Sequence, residues 1–401
     1  MDLLKRLQDK ETWQEYLREK KERGQLSPQE IRDLEVFIKE EGWQRVTLSS
    51  FPLPEKKILS KQGSRKKRTV FTFPEAENRV LKLLAWLLYA YDGKISEDCY
   101  SFRRNYQVKT AVSRLLQIPD LDKKYILKAD IHDYFASIDP ELLCQDLREV
   151  IDDDPALLQF LQEILRQEHC IYKGEEVTEK RGALPGVPVA NFLANIYLRG
   201  LDACFRERGN PYFRYADDLL LLFDSAEERE EGLLLLKERL QEKKLQLNEE
   251  KTCFFEPGEP ISYLGLSCQA GRVGLSAVTV RKMQAKIRRK ARKIYRQGEK
   301  ENVPWEKRAR SLIRYFDNKF YDLSGTREFT WSRFYFPLLS ETEGLSQIDR
   351  CLQEYLRYLK SGRHTKANYR IRYEELKKLG YTPLVAEFYR WKEEERRLAA
   401  Q

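Results

Sequence analysis

The sequence lacks the features that mark membrane, secreted and zinc-binding proteins. It contains no run of about 18 apolar residues, and its charged N-terminal stretch has no apolar signal-peptide core. The seven cysteines form no CxxC pair, and His132, His169 and His364 stand at no zinc-like spacing from them. These absences exclude a membrane-spanning segment, argue against disulfides and predict a cytoplasmic protein with free thiols and no structural metal.

Basic charge is in excess over the whole chain. The 401 residues include 73 Lys and Arg against 64 Asp and Glu, which gives a net charge of +9. This excess favours an anionic partner, and nucleic acid is the first candidate. Hydrophobic residues make up 41% of the chain, enough for sizeable cores, and the length predicts two or three packed modules.

The hydrophobic pattern alternates between helical and strand-like segments. Two charged helices are predicted within residues 1–48, with Ser27 as a helix cap before Pro28. A basic hairpin is predicted at 56–69. Further helices are predicted at about 75–92, 140–168 and 226–244 and from Ser276 onward. Strands are predicted at 125–131, 213–223 (a hairpin folded around two acids), 252–256, 261–266 and 272–275.

Three aspartates at the ends of apolar strands are the strongest chemical signal. Asp217 and Asp218 lie at the bend of a predicted buried hairpin, where an unpaired charge costs several kcal/mol of folding free energy. Asp130 ends the apolar strand YILKADI, and strand alternation favours it over Asp133 and Asp139. Three carboxylates from two strands can hold two Mg²⁺ ions, which activate an attacking 3′-hydroxyl and steady a leaving pyrophosphate. The alternatives are an ordinary surface turn and an ordinary helix cap.

The order of these motifs resembles the palm of reverse transcriptases. An Asp-x-x-x-x-Phe element, Asp130 to Phe135, precedes the Gly/Pro-rich segment RGALPGVPVANFLANIYLRGLD (181–202) and then Tyr-Ala-Asp-Asp. The resemblance implies that Asp130, Asp217 and Asp218 are catalytic metal ligands, with Ile131 beside them in the metal site. It also implies that Phe135 lies beneath the ribose of the incoming nucleotide and excludes a 2′-hydroxyl. The alternative for Phe135 is a core residue on a strand-to-helix turn.

Other matches extend the resemblance over about residues 60–270. Arg68 and Arg103 resemble the fingers arginines that bind the incoming dNTP, a role that suits the planar guanidinium. Gly186 resembles a nucleotide-positioning residue, and Lys251 resembles the catalytic lysine that assists departure of pyrophosphate. The alternative for each charged residue is a solvated surface position.

The C-terminal part resembles a primer grip followed by a helical thumb. Tyr263, Leu264 and Gly265, in YLGL, resemble the turn that lies against the primer 3′ end. The stretch 281–296 contains nine Lys and Arg and no acid, which favours a helix that follows the phosphates of a nucleic-acid duplex. Its alternative is a solvated charged face. The candidate nucleic-acid contacts are Arg281, Lys282, Arg288, Arg289, Lys290 and Lys293.

The resemblance implies an α+β, right-hand polymerase fold in four parts. These are an N-terminal helical extension (1–55), fingers (56–124), a palm (125–275, with a fingers insertion near 140–180) and a helical thumb with a basic C-terminal region (276–401).

The implied activity is RNA-directed DNA polymerisation from dNTPs with two Mg²⁺ ions, for which Mn²⁺ is a substitute. The implied partners are a structured noncoding RNA template and the cDNA–primer duplex, with no membrane partner and a homo-oligomer as an alternative to a monomer. Pro185 and Ala190, where many relatives carry Gln and Ser, argue against a typical retron or group II intron enzyme and favour the divergent bacterial defence-associated enzymes of the group II intron-like lineage. A diversity-generating or group II-like enzyme, template-independent or protein-primed synthesis, and a catalytically silent RNA-binding scaffold stay open as alternatives.

Overall fold

A computed structural model describes residues 2–60, 67–179, 182–269, 271–321 and 330–399. The chain divides into two units at residue 258. The tip of the predicted basic hairpin lies outside the described residues. None of the described helices has both the length and the apolar character needed to cross a lipid bilayer.

The first unit, residues 1–258, mixes helices and short strands. In chain order its elements are α1 (Leu3–Arg6), α2 (Lys10–Glu22), α3 (Pro28–Lys39), β1 (Glu55–Ser60), β2 (Lys67–Thr72), α4 (Glu75–Leu87), α5 (Val108–Leu116), β3 (Tyr125–Asp130), α6 (Tyr134–Ser137), α7 (Pro140–Val150), α8 (Pro155–Arg166), β4 (His169–Tyr172), β5 (Glu175–Thr178), α9 (Ala190–Tyr197), α10 (Arg199–Arg208), β6 (Tyr212–Tyr215), β7 (Asp218–Phe223), α11 (Ala226–Glu242) and β8 (Cys253–Phe255).

The N-terminal helices begin where the sequence predicts. Ser27 Oγ accepts a hydrogen bond from the backbone N–H of Glu30 at 3.3 Å, and the Glu30 carboxylate accepts one from the Ser27 N–H at 2.8 Å. This reciprocal pair is a capping box, with Pro28 in the first turn of α3. The buried rings of Trp13 and Trp43 stack at 5.5 Å behind these helices. The charged N-terminal helices therefore bury an aromatic core.

The predicted hairpin at 56–69 forms one edge of a four-stranded sheet. β1 and β2 are antiparallel, and β1 also pairs with β4 in parallel, which gives the strand order β2-β1-β4-β5. The insertion near 140–180 thus contributes two helices and the β4–β5 hairpin, and that hairpin extends the same sheet as the fingers hairpin. The predicted helix at 140–168 is interrupted at Asp154, whose carboxylate accepts from the Leu157 N–H and starts α8.

A second sheet, in the order β6-β7-β3-β8, positions the acidic residues. β3 runs antiparallel to β7, so that Asp130 lies directly opposite Asp218. Leu219, Leu221 and Leu127 behind them are fully buried. The predicted hairpin around the two acids is therefore confirmed, because the apolar runs on both strands are covered by helices.

The second unit, residues 259–401, has a small sheet and a set of helices. Its elements are β9 (Ile261–Tyr263), β10 (Leu266–Gln269), β11 (Arg272–Leu275), α12 (Ala277–Lys300), α13 (Trp305–Phe320), α14 (Trp331–Tyr335), α15 (Glu343–Ser361), α16 (Tyr373–Lys378) and α17 (Leu384–Ala399).

One sequence prediction about this unit needs correction. The strand expected at 261–266 ends at Tyr263, because Leu264 and Gly265 adopt positive φ angles of 48° and 84° and reverse the chain into β10. The small sheet β9-β10-β11 lies in the second unit. Its strand β11 is bonded there, since the Val273 carbonyl accepts from the N–H of Ser340 at 2.9 Å.

The buried face of the long basic helix α12 differs in part from the predicted one. Met283 and Ile287 are buried as expected, but Ile294 is only half-buried and Ala291 and Gly298 complete the face. Glycine is needed at position 298 because a Cβ there would lie 2.4 Å from Arg308 Nε. The remaining faces of the helix carry the Lys and Arg side chains.

Candidate active site

The turn between β6 and β7 places two of the acids at one edge of the sheet. Tyr215 pairs with Asp218, which leaves Ala216 and Asp217 as a two-residue turn. The Asp217 carbonyl accepts from the Ile131 N–H at 3.3 Å, so the turn is tied to the end of β3. Asp130, Asp217 and Asp218 therefore lie at the same end of two paired strands, as the sequence predicts.

Two lysines and an asparagine surround these carboxylates. Asp130 Oδ2 accepts from Lys251 Nζ at 2.7 Å and from Asn248 Nδ2 at 3.2 Å. Lys128 Nζ lies 3.6 Å from Asp218 Oδ1. The predicted lysine at 251 is thus beside the acids. Neither Lys128 nor Asn248 is anticipated by the sequence analysis, although Lys128 precedes Asp130 by two residues on the same strand and so shares its face.

The surroundings of the site disfavour negative charge on the carboxylates of Asp217 and Asp218. Burial, followed by repulsion from Asp130, raises the pKa of Asp217. Burial also raises the pKa of Asp218, against the attraction of Lys128. Partial burial lowers the pKa of Lys251, but its hydrogen bond to Asp130 and the nearby acids outweigh that effect and raise it. The site therefore holds more negative charge than its surroundings stabilise, while Lys251 stays protonated.

The donor set fits a hard divalent cation. Across the described residues, no three His, Cys, Asp or Glu side chains already form a metal cluster, and the oxygens of Asp130 and Asp218 face ammonium groups instead. Carboxylate oxygens are nevertheless the ligands that Mg²⁺ prefers. A divalent cation would also relieve the repulsion that raises the pKa of Asp217. The residues therefore suit the predicted metal.

The other acids near this edge have different partners. Asp139 accepts from the backbone N–H groups of Glu141 and Leu142 at 3.0 and 3.1 Å and so caps α7. The Asp133 side chain is largely exposed. Strand alternation correctly favours Asp130 as the acid at the strand end.

Phe135 lies in the short helix α6 after β3, close to the Gly/Pro-rich segment. Its half-buried ring contacts Phe102 and Tyr134 edge-on, with ring centroids 6.4 and 5.6 Å away. Its carbonyl accepts from the Ala183 N–H at 2.9 Å. A Cβ on Gly182 would lie 2.2 Å from that carbonyl oxygen, so only glycine fits there. Phe135 is thus held by contacts from three segments.

Gly186 contacts the strand that carries Arg68. The Phe71 N–H donates to the Pro185 carbonyl at 2.8 Å, and Gly186 has a φ of +99°. A Cβ at Gly186 would lie 3.0 Å from both the Phe71 carbonyl and Val70 Cβ. The glycine therefore permits the Gly/Pro-rich segment to pack against β2.

The two fingers arginines differ in their surroundings. Arg68 is exposed on β2. Arg103 is committed to its own loop: Nη1 donates to the carbonyls of Ser96 and Cys99, and Nη2 donates to the Asp92 carbonyl at 2.9 Å. Its guanidinium also lies 3.9 Å from the centre of the Tyr106 ring. These contacts give Arg103 a role in holding the loop, whereas the Arg68 side chain is exposed to solvent.

The predicted primer-grip residues lie at the end of β9, for Tyr263, and in the turn to β10, for Leu264 and Gly265. The Gly265 carbonyl accepts from the Ser276 N–H at 3.1 Å and from Thr279 Oγ1 at 2.8 Å. Tyr263 is fully buried. The turn is thus fixed to the start of α12.

The basic face of α12 continues onto α13. Lys290 Nζ and Lys319 Nζ lie 4.2 and 5.0 Å from the centre of the same ring, that of Tyr315. Burial, followed by repulsion from Lys319, lowers the pKa of Lys286. Arg281, Lys282, Arg288, Arg289 and Lys293 are exposed, whereas Lys290 is half-buried. The sequence pattern does not single out Tyr315 and Lys319, because the Lys and Arg residues of α13 are interspersed with acidic residues.

A sequence model of one protein family matches residues 59–268, a little more than half of the chain. It describes the reverse transcriptases (RNA-dependent DNA polymerases). The chain belongs to the reverse transcriptase family. The matched region begins in the first hairpin and contains all three aspartates, which confirms the predicted family and its α+β fold class.

Among curated reverse transcriptases, the chain is similar to the retron Ec86 enzyme of Escherichia coli. The two are 24% identical over 236 residues, which cover 57% of this chain and 67% of the retron enzyme. This relative is a retron enzyme, a class that the departures at Pro185 and Ala190 argue against, whereas the broader prediction of a bacterial defence-associated reverse transcriptase is supported.

Solved telomerase structures also resemble this reverse transcriptase. Apo telomerase from Candida tropicalis is 11% identical with a TM-score of 0.47, and the match covers 78% of this chain and 64% of that one. Telomerase from Candida albicans with a telomeric RNA fragment is 14% identical with a TM-score of 0.43, over 83% and 66% of the two chains. The chain thus spans less than two thirds of either telomerase.

Phe135→Ala is expected to weaken discrimination between dNTPs and rNTPs by about tenfold to a hundredfold. The resemblance to reverse transcriptases places this ring beneath the ribose, and its removal would make room for a 2′-hydroxyl. The measurement is the ratio of kcat/KM for dGTP and rGTP in primer extension.

The matched control is Phe254→Ala, which removes an exposed ring from β8, a strand of the sheet that carries Asp130 and Asp218. A wild-type protein that uses rGTP as readily as dGTP would refute the steric role of Phe135.

Proposed function

We propose that this reverse transcriptase copies a structured noncoding RNA into DNA and that this synthesis serves antiphage defence. The observation that supports catalysis most directly is the meeting of Asp130, Asp217 and Asp218 with Lys251 at one sheet edge, in a chain of this family. A catalytically silent scaffold would have no need of three acids whose mutual repulsion is unfavourable.

The three carboxylates and Ile131 would form the metal site. Two Mg²⁺ ions held there, or Mn²⁺ in their place, would neutralise charge on the attacking 3′-hydroxyl and the leaving pyrophosphate. Lys128 and Asn248 would keep the carboxylates oriented, because each contacts one of them from a neighbouring position of the sheet edge. Burial of the turn limits water around the acids and strengthens these interactions.

Lys251 would supply a proton to the departing pyrophosphate. Its ammonium lies 2.7 Å from Asp130, and the pKa shift keeps it charged at neutral pH. Once a cation shares the charge of Asp130, the ammonium has less reason to stay paired with it. More than half of the Lys251 side chain is exposed, so it can swing toward a phosphate.

Nucleotide binding would rest on Arg68, Gly186 and Phe135. Arg68 projects from the strand against which the glycine packs, so phosphate and sugar contacts would come from neighbouring elements. The loop contacts of Arg103 argue against the dNTP role implied by the resemblance.

The basic residues of α12 would bind the phosphates of the RNA or of the RNA–DNA duplex. Changing Arg288, Arg289, Lys290 and Lys293 to Gln is expected to weaken RNA binding. The slope of log affinity against log salt should become shallower by roughly one for each lost phosphate contact. The measurement is a filter-binding titration of a structured RNA at several salt concentrations.

The control for this variant removes four positive charges that already have acidic partners. Lys123, Arg390 and Arg397 are exposed and Arg239 is half-buried, and they pair with Asp120, Glu387, Glu393 and Glu242, respectively. Their joint change to Gln should leave the slope close to that of the wild type. Equal slopes for both quadruple variants would show that the four α12 side chains are solvated and do not contact RNA phosphates.

The defence role rests on the retron relative and on the departures at Pro185 and Ala190. The test of the whole proposal has two parts. Purified protein should extend a primer on an RNA template with dNTPs and Mg²⁺, and sequencing of copurified nucleic acid should find one dominant RNA from beside its gene.

Phage plating then tests the biological setting. Cells with the wild-type locus should form fewer plaques than cells with Asp217→Asn or with the RNA deleted. Equal plaque counts over a broad phage panel would remove the defence role. A template repeat and a variable repeat beside the gene would instead indicate a diversity-generating element.

A further inference from the structure

Ser101 lies fully buried in a loop that runs beside the catalytic hairpin. The Asp98 carbonyl accepts from the Arg214 N–H, and the Tyr100 N–H donates to the Arg214 carbonyl, both at 2.8 Å. The loop thus pairs with β6 like a short parallel strand. Ser101 is the next residue along, at the point where β6 ends and the turn begins.

The Ser101 side chain continues this pairing into the turn. Its Oγ accepts a hydrogen bond from the Ala216 N–H at 2.8 Å. Ala216 is buried, so no water replaces this acceptor if it is lost. Ser101 Oγ in turn donates to Asn195 Oδ1 at 3.3 Å, and the Asn195 amide donates to the Ser101 carbonyl at 2.8 Å. The hydroxyl is therefore held in place on both sides.

The residue held by this bond has an unfavourable backbone. Ala216 has a φ of +56°, which a residue with a Cβ adopts at a cost. In two-residue hairpin turns this position is normally glycine. Such a conformation persists when its surroundings determine it, and the bond to Ser101 is the described contact on the Ala216 N–H, beside the Tyr215–Asp218 pairing and the Ile131 bond that hold the rest of the turn. Because Asp217 follows directly, the direction of its carboxylate depends on this φ angle.

We propose that Ser101 is a positioning residue for the catalytic turn: its hydroxyl holds the Ala216 backbone in the left-handed conformation that aims the Asp217 carboxylate into the metal site. This inference rests on the proposed polymerase function. It assigns to a fingers-loop hydroxyl, which touches neither substrate nor reacting atoms, control over the placement of a metal ligand.

The test compares Ser101→Ala with Ser225→Ala. Ser225 also accepts a hydrogen bond from a backbone N–H, that of Glu228, but it caps α11 away from the turn. Ser101→Ala should raise the hydrogen-exchange rate of the Ala216 amide, and the Mg²⁺ concentration for half-maximal synthesis, by roughly fivefold, the factor for one net hydrogen bond. At saturating Mg²⁺ the KM for dNTP should stay within about twofold of the wild type. Ser225→Ala should change none of these.

Ser101→Cys keeps the size of the side chain but is a weaker acceptor, so it should shift both quantities in the same direction by less. It carries the test if Ser101→Ala does not fold. Wild-type exchange at Ala216 and a wild-type Mg²⁺ requirement in both Ser101 variants would overturn the proposal. A wild-type protein without polymerase activity would refute the proposed function, while the exchange measurement would still decide the role of Ser101.

Discussion

Asp217→Asn is expected to reduce dNTP incorporation by about a thousandfold or more. Asparagine keeps the shape of the side chain but removes the negative charge that a divalent cation requires. Asp217 lies in the turn that is tied to Ile131, next to Asp218, which pairs with Asp130, so no other acid of the described site can take its place without moving the backbone. The measurement is single-turnover incorporation by the purified variant.

The same variant should unfold at the same temperature as the wild type or at a higher one. Burial and Asp130 raise the pKa of Asp217 above its value in the unfolded chain, so the charged form destabilises the native state above that range. Replacement by a neutral amide removes this cost at neutral pH. A melting curve distinguishes a catalytic defect from a folding defect.

Asp224→Asn is the matched control for this prediction. Asp224 follows β7 in the same hairpin, is exposed and pairs with Lys124. Its replacement should leave incorporation within about twofold of the wild type. Full activity in Asp217→Asn would remove Asp217 from the metal site.

Arg214→Met is expected to destabilise the first unit by about 3–5 kcal/mol. The side chains of Arg214 and Asp202 are fully buried, and two bonds of 2.6 and 2.7 Å join them. Tyr212 also donates to Asp202 at 3.0 Å. Loss of the guanidinium leaves a carboxylate without its cation in a dry environment, which costs far more than the lost contact. The measurement is the free energy of unfolding in urea.

The double variant Arg214→Met, Asp202→Leu tests the physical reason. Replacing both charged partners by apolar side chains leaves no unpaired charge, so most of the lost stability should return. If Arg214→Met alone lies within about 1 kcal/mol of the wild type, the pair does not stabilise the fold. Since Arg214 also donates to Asn195, the single variant should loosen the catalytic turn as well.

The helix starts and the acidic hairpin were open to prediction because their determinants are local. The Ser27–Glu30 capping box spans four residues, and the apolar runs beside Asp217 and Asp218 define two buried strands with a bend between them. Asp130 ends a third apolar run. Burial of such runs is favourable wherever they lie, so the strands and the family follow from the sequence.

The partners of these acids were decided by the tertiary structure alone. Lys251 and Asn248 contact Asp130 across more than 100 residues of chain, and Ser101 contacts the turn at a similar separation. A single lysine, asparagine or serine forms no periodic pattern, so its partner depends on how the sheets and loops pack. The same reason explains Arg103: an arginine suited to phosphate is held by the carbonyls of its own loop, and only the packed loop brings those carbonyls together.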